Sequence, residues 1–194
     1  SEKHMCTQPA HLMIASQLLP KFCSQCGAAV QASASGPPYR CGNHHETWLS
    51  PRPVAVAILK VIDPHLPDRV VIVRRSENVP PRFAWNQWCL PGGYINPGER
   101  TCEAAARELR EEANITVPVS RFSILTDQPV IVQNVQLYFA VARWNLRKHG
   151  PLPPFVQNHE ATERMLAIPN ALPVNMAFES HIWATMLAFA QQYS

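Results

Sequence analysis

Glu108, Glu111 and Glu112 stand at positions i, i+3 and i+4 of a segment whose residues Cys102, Ala105, Ala106 and Leu109 recur at three- and four-residue steps. That spacing is the pattern of an amphipathic helix, so the stretch from Thr101 to Ala113 buries one stripe and projects three carboxylates from another side. Like charges at these steps repel, and the arrangement is costly without a cation. Hard divalent ions such as Mg2+ take oxygen ligands and leave room for substrate phosphates, so three such carboxylates form a suitable partial cage.

An isolated cluster of this kind, interleaved with Arg107 and Arg110, is more often a solvated face. The surrounding residues reverse that reading. Gly93 is followed after five residues by Glu99 and after seven more by Arg107-Glu108-Leu109-Arg110-Glu111-Glu112-Ala113-Asn114-Ile115. This array closely resembles the signature box of the Nudix hydrolases. Asn114 stands where the family has glycine; the position calls for a positive φ at the helix C-terminus, which asparagine tolerates better than most residues. Asn96 replaces a frequent glutamate in an unspecified part of the box.

The resemblance implies an α+β fold, a Nudix α/β/α sandwich with a mixed β-sheet. It implies that Glu108, Glu111 and Glu112 surround catalytic Mg2+ or Mn2+, with a carbonyl of the glycine turn, that of Gly92, as a further ligand. Arg107 and Glu99 would then orient the carboxylates rather than react. The expected chemistry is hydrolysis of a diphosphate, with the metal neutralising the phosphates and activating water. The identity of the general base stays open between Glu108 and a glutamate of a late loop, Glu160 or Glu163.

A second pattern lies upstream. Cys23-Ser24-Gln25-Cys26 is followed after fourteen residues by Cys41-Gly42-Asn43-His44, the pairing and loop length of a zinc ribbon. Cys23, Cys26, Cys41 and His44 are the expected Zn2+ ligands, His44 being favoured over His45 by its two-residue spacer. Such sites are filled by protein ligands, so the role expected is structural. Cys6, Cys89 and Cys102 fit no ligand pattern.

Residues 21–50 are poor in large aliphatics and build no core alone, so a bound metal would supply the missing stabilisation. Residues 1–20 read as an N-terminal arm or short helix, 21–50 as the zinc-ribbon module and 51–194 as the hydrolase domain. Within that domain Val54 to Ile62 and Val70 to Val73 are expected to pair as antiparallel strands across a connection at His65 to Asp68. A helix is expected to begin near Glu99. Further strands are expected at Ile115 to Ile124, Val130 to Trp144 (with a bulge) and Met165 to Ile168, a loop at Asn145 to Asn158, and a closing helix at Ala177 to Gln192.

A ribbon placed directly before Pro51-Arg52-Pro53 resembles two Nudix subgroups, the NADH pyrophosphatases and a smaller class that includes FAD and ADP-ribose pyrophosphatases. The resemblance runs from about Phe22 to the C-terminus. The smaller class fits better, because the array that NADH pyrophosphatases carry after the box is missing and the stretch from Leu172 to Phe189 is similar to the end of that class. An ADP-linked substrate (FAD, ADP-ribose or NADH) is implied, with a homodimer as the expected assembly. Arg74, Arg75, Trp85, Trp88 and Tyr94 flank the expected cleft, where cations suit phosphates and aromatic faces suit adenine.

The formal charge of +3 carries no block of basic residues, so neither nucleic acid nor a membrane surface is an expected partner. No apolar run approaches the ~20 residues of a membrane span, and a soluble, cytoplasmic protein is expected. Four alternatives remain on the sequence alone: a non-catalytic nucleotide-metabolite sensor, a nucleic-acid-binding regulator with the same kind of domain, a hydrolase of mRNA caps, and a hydrolase of nucleoside triphosphates. Sensors commonly lose the helix glutamates, all of which are present here.

Overall fold

The computed structural model describes residues 21–31 and 37–190; the expected N-terminal arm lies outside the described residues, as do Gln191 and Gln192 of the expected closing helix. The described residues divide into two compact units. One holds those up to Arg52 together with Pro129–Val135, and the other Pro53–Gln128 with the residues from Gln136 onward.

The first unit contains a three-stranded sheet of β1 (Val30–Gln31), β2 (Tyr39–Cys41) and β3 (Glu46–Thr47), paired antiparallel in that order. Among its described residues up to Arg52 the buried apolar ones are Tyr39 and the cysteines Cys23 and Cys41, so this part of the unit has almost no aliphatic core. Within it, the Arg52 amide donates to Asn134 O (2.9 Å) and Asn134 Nδ2 donates to Ser50 O (3.3 Å).

The second unit is built on a seven-stranded sheet. Its main path runs β10 (Ala161–Ala167), β5 (Leu66–Arg75), β4 (Arg52–Asp63), β9 (Val135–Asn145), β8 (Ser123–Val130). The short strands β6 (Trp88–Cys89) and β7 (Gly92–Tyr94) pair antiparallel with β5 and β4 respectively. Residues 55–61 of β4 are all buried, the signature of a strand covered on both faces. Ala55, Ala57, Leu59 and Val61 join the cluster that includes Ala104, Ala105 and Leu109 of helix α1 (Thr101–Ala113). The alternate residue Lys60 points the other way, where its Nζ donates 2.9 Å to Ala188 O of the closing helix. Helices therefore lie on both faces of the sheet. After α1 come a four-residue helix α2 (Leu146–His149) and the closing helix α3 (Glu179–Ala190).

Several expectations shift in detail. The β4–β5 hairpin is antiparallel as expected but longer, because Asp63 Oδ1 accepts the His65 amide (2.8 Å) and closes a tight turn, leaving Leu66 to Asp68 in the strand. Ile115 and Val117 are buried outside any strand; the chain turns through Val119–Arg121 after Pro118, and β8 starts only at Ser123. The bulge expected in Val130 to Trp144 is a chain reversal, with Asn134 at φ 50° between β8 and β9. Strand β10 begins at Ala161, four residues before its expected start.

Helix α1 begins two residues later than expected. Its entry is fixed by Glu99, whose Oε2 accepts the Asn96 amide (2.9 Å), and by Glu103, which accepts the Arg100 amide (2.8 Å). At the other end every last-turn carbonyl has a partner. Arg110 O accepts the Asn114 amide, Glu111 O and Glu112 O accept Asn158 Nδ2, and Ala113 O accepts Arg164 Nη1. Asn114 adopts φ 57° and ψ 30°, the left-handed conformation that the sequence demanded.

On α3, His181 is buried between Phe139 and Phe178 and its Nδ1 accepts the Leu90 amide (3.1 Å). Burial, and then the charge of Arg75, hold its imidazole down to about 3, so it stays neutral. An unfolded histidine titrates near ~6.5, so below that pH the unfolded chain takes up a proton that the folded chain refuses. Stability contributed by neutral His181 is complete above pH ~6.5 and is lost progressively as the pH falls towards 3. The stability gap between the parent chain and His181→Asn, measured by urea unfolding, is expected to shrink by about 2 kcal/mol between pH 7 and pH 5. A gap independent of pH would contradict this.

Candidate active site

Helix α1 presents Glu108 and Glu112 one turn apart, and the loop before β10 brings Glu160 to meet them. Carboxylate oxygens of the three lie within 4.8 Å of one another. Glu108 and Glu112 are each only 5% exposed, so two of the three charges sit out of water. Burial raises the Glu112 carboxyl well above the usual range, and the neighbouring charge of Glu108 raises it further. Glu108 is likewise raised, by burial first, against the lowering pull of Arg107. An all-oxygen set in which Glu108 and Glu112 are penalised by burial and by neighbouring carboxylates suits a hard divalent cation, which reverses both penalties.

Glu111 lies outside this group. Its carboxylate is exposed and is taken by Arg107 Nη1 (3.1 Å) and Arg110 Nη2 (3.0 Å). Glu163 is also apart, paired with Arg74 Nη1 at 2.7 Å. The structure thus separates the two late glutamates that the sequence left equivalent.

Arg107 braces the site. It holds Glu99 with both arms of its fork (Nε to Oε1 2.8 Å, Nη2 to Oε2 3.0 Å), reaches Glu108 Oε1 at 2.6 Å, and donates to Tyr94 O at 3.0 Å. Its guanidinium links the start of the acidic helix, the glycine strand and a cluster carboxylate, so Glu99 sits where it orients Arg107.

The glycines are dictated by close approach. A Cβ on Gly92 would stand 2.6 Å from Ala55 O, and one on Gly93 would stand 2.4 Å from Glu108 Oε1. The Gly92 amide donates to Glu112 Oε2 (3.0 Å), so the strand edge touches the carboxylate through backbone alone.

The proposed substrate contacts divide. Tyr94 is exposed next to Gly93. Arg74 stacks over Trp88 at 5.8 Å and donates to Asn86 O. Arg75 is turned inward, with Nη2 on Pro80 O and its guanidinium over Phe178 at 5.5 Å. Trp85 is half-buried, its Nε1 bonded to Val79 O (2.9 Å). Sequence reasoning missed Asn158, a lone asparagine in a proline-bearing stretch with no pattern around it.

The first unit carries its own cluster. Cys23, Cys26, Cys41 and His45 place their ligand atoms within 4.8 Å of one another. The histidine in this group is His45, not the His44 expected from the spacing. The Cys41 amide donates to His45 O and the His44 amide donates to Cys41 O, so His44 occupies the left-handed corner of a tight turn at φ 61°. The chain returns to the sulfurs one residue later, with His45 Nδ1 3.7 Å from Cys23 Sγ. Backbone donation at Ala28, followed by Asn43, lowers the Cys26 thiol to about 6, a state suited to metal ligation.

Residues 51–176 match the NUDIX domain, and the chain belongs to that family. It is 34% identical over 98 residues to Nudix hydrolase 19, chloroplastic, of Arabidopsis thaliana, covering 50% of this chain and 21% of that protein. It is 29% identical over 104 residues to the NAD-capped RNA hydrolase NudC of Stutzerimonas stutzeri, covering 50% and 32%. The chain therefore spans about a fifth to a third of the curated relatives it matches. A NUDIX hydrolase from Nitrosomonas europaea shares the fold with a TM-score of 0.59 at 24% identity, over 89% of this chain and 92% of that one. The α+β architecture with a mixed sheet expected from the signature is the one found. Among the described residues no helix is long and apolar enough to cross a membrane.

The two glycines should fail differently. Gly92→Ala meets backbone and is expected to cost about 1–3 kcal/mol in thermal or urea unfolding. Gly93→Ala meets a movable carboxylate, so it should unfold near the parent temperature yet weaken Mn2+ binding in titration calorimetry. Equal stability losses with unchanged Mn2+ binding would contradict the geometry.

Proposed function

We propose that the chain is a Nudix pyrophosphohydrolase that cleaves a nucleoside diphosphate linked to another moiety, an ADP-linked compound such as FAD, ADP-ribose or NADH, to AMP and a phosphorylated product. The observation that carries this reading is the convergence of Glu108, Glu112 and Glu160 beside a strand edge where side chains cannot fit. Glu108, Glu112 and Glu160 would hold Mg2+ or Mn2+, and Glu111, now paired with Arg107 and Arg110, would be a further ligand on giving up those partners. The Gly92 carbonyl remains a candidate ligand. A divalent ion there supplies charge neutralisation at the diphosphate and Lewis-acid activation of water.

The protein's own groups account for the rest. Arg107, fixed by Glu99, keeps Glu108 in place, and the Gly92 amide does the same for Glu112. Glu160 is the favoured acceptor of the water proton, because it is the one cluster carboxylate that is not largely buried and Glu163 is occupied by Arg74. Exposed Tyr94 and the Arg74–Trp88 pair offer surfaces for a nucleobase and phosphates. The ADP-linked class is supported by the ribbon-before-domain layout and by a relative named for NAD-capped RNA, whose cap is itself ADP-linked.

A panel of FAD, NADH, ADP-ribose, capped RNA and nucleoside triphosphates with Mg2+ or Mn2+ tests the reading by product analysis. AMP release from an ADP-linked compound is expected, and Glu112→Gln should lower turnover at least ~100-fold with the fold intact. Binding without turnover across the panel would favour a sensor.

Cys23, Cys26, Cys41 and His45 are the proposed holders of a structural Zn2+, which would stabilise a unit short of aliphatic core. About one zinc per chain is expected in the parent protein and in His44→Ala, and a large loss in His45→Ala, by elemental analysis. Retention of zinc in His45→Ala would defeat the assignment.

A further inference from the structure

Resting on the reading of Glu160 as part of the metal site, we infer that Asn158 is a positioning residue, whose side-chain amide locks the Glu160 loop to the last turn of helix α1 and so holds the Glu160 carboxylate against Glu108 and Glu112. Both ends of that amide are engaged. Nδ2 donates to Glu111 O (2.9 Å) and Glu112 O (3.3 Å), two carbonyls that the helix itself leaves without partners. Oδ1 accepts from the amides of Glu160 (2.9 Å) and Ala161 (2.8 Å), which closes an Asx-type turn around the glutamate.

Capping a helix end requires only a donor, and closing the loop turn requires only an acceptor. A lysine would serve the first and an aspartate the second. An amide of this reach does both, and so ties the backbone that carries Glu112 to the backbone that carries Glu160. The surroundings fix the same loop on either side of that link. Asn114 Oδ1 accepts the Val156 amide (2.8 Å), Arg164 joins Ala113 O (2.6 Å) to Pro153 O (2.5 Å), and Glu160 O accepts the Ser76 amide (2.9 Å). Asn114, the residue that departs from the family glycine, therefore both supplies the left-handed helix end and fastens the loop that leads to Asn158.

The test is a double-mutant cycle on the full chain, with Mn2+ alone as the titrant and calorimetry as the readout. Asn158→Ala should weaken Mn2+ binding by about 10-fold, the usual scale for a group that orients a ligand. Adding Asn158→Ala to Glu160→Gln should then weaken it no further, because the carboxylate that Asn158 positions is already disabled. With any substrate that the parent chain turns over, Asn158→Ala should lower kcat while KM stays within about threefold. Mn2+ binding within about twofold of the parent in folded Asn158→Ala, or losses that multiply in the double variant, would overturn the inference. If Glu160→Gln itself binds Mn2+ as the parent does, Glu160 is outside the metal site and both readings fall; if only Asn158→Ala is normal, the positioning role falls alone. Should Asn158→Ala show no thermal transition, Asn158→Ser, whose hydroxyl can close the same local turn, takes its place in the cycle under the same criteria.

Discussion

Two carboxylates held out of water, with a third leaning over them, set the terms for the rest of the catalytic unit. Glu108 and Glu112 are buried because α1 packs its apolar stripe on the sheet and because β7 lies across the helix. Neither charge is comfortable there: burial first, and then neighbouring carboxylates (Glu160 beside Glu108, Glu108 and Glu160 beside Glu112), push both carboxyls towards the neutral form. A divalent cation relieves that strain at one stroke, and the geometry around the pair keeps it from being relieved by rotation away. Gly93 leaves room for Glu108 and nothing more, the Gly92 amide fixes Glu112, and Arg107 holds Glu108 from the side.

The bracing is layered. Glu99 is bound by both arms of the Arg107 fork, and its carboxyl is held below the usual range chiefly by that contact. From the far end of the helix, Asn114, Asn158 and Arg164 draw in the loop that delivers Glu160. From the opposite face of the sheet, His181 fastens α3 to Leu90, two residues before Gly92. The contacts made by Asn114, Asn158, Arg164 and His181 each use a main-chain group, so there support of the site and satisfaction of the backbone are the same bonds.

Much of this was legible because local spacing alone determines it. A helix with glutamates at i, i+3 and i+4, a glycine at fixed distance and an asparagine at a left-handed corner are all short-range facts, and the structure agrees with them at Thr101–Ala113, Gly93 and Asn114. The choices that spacing could not make were tertiary. Glu160 and Glu163 differ by three residues, and only the pairing of β10 with β5 sends one to the helix and the other to Arg74. His44 and His45 are adjacent, and the positive φ at His44 decides which returns to the cysteines. Ile115 and Val117 read as strand because alternation records burial, not hydrogen bonding. Asn158 left no trace in the sequence, since the carbonyls its Nδ2 reaches, those of Glu111 and Glu112, lie more than forty positions away.

On this reading Glu108, Glu112 and Glu160 would share one divalent cation. Crystals of the protein soaked in Mn2+ and measured at a wavelength where manganese scatters anomalously test it without reference to any substrate. An anomalous peak bounded by oxygens of these three side chains is expected. Full occupancy of Mn2+ elsewhere on the molecule, with that space free of any peak, would contradict it.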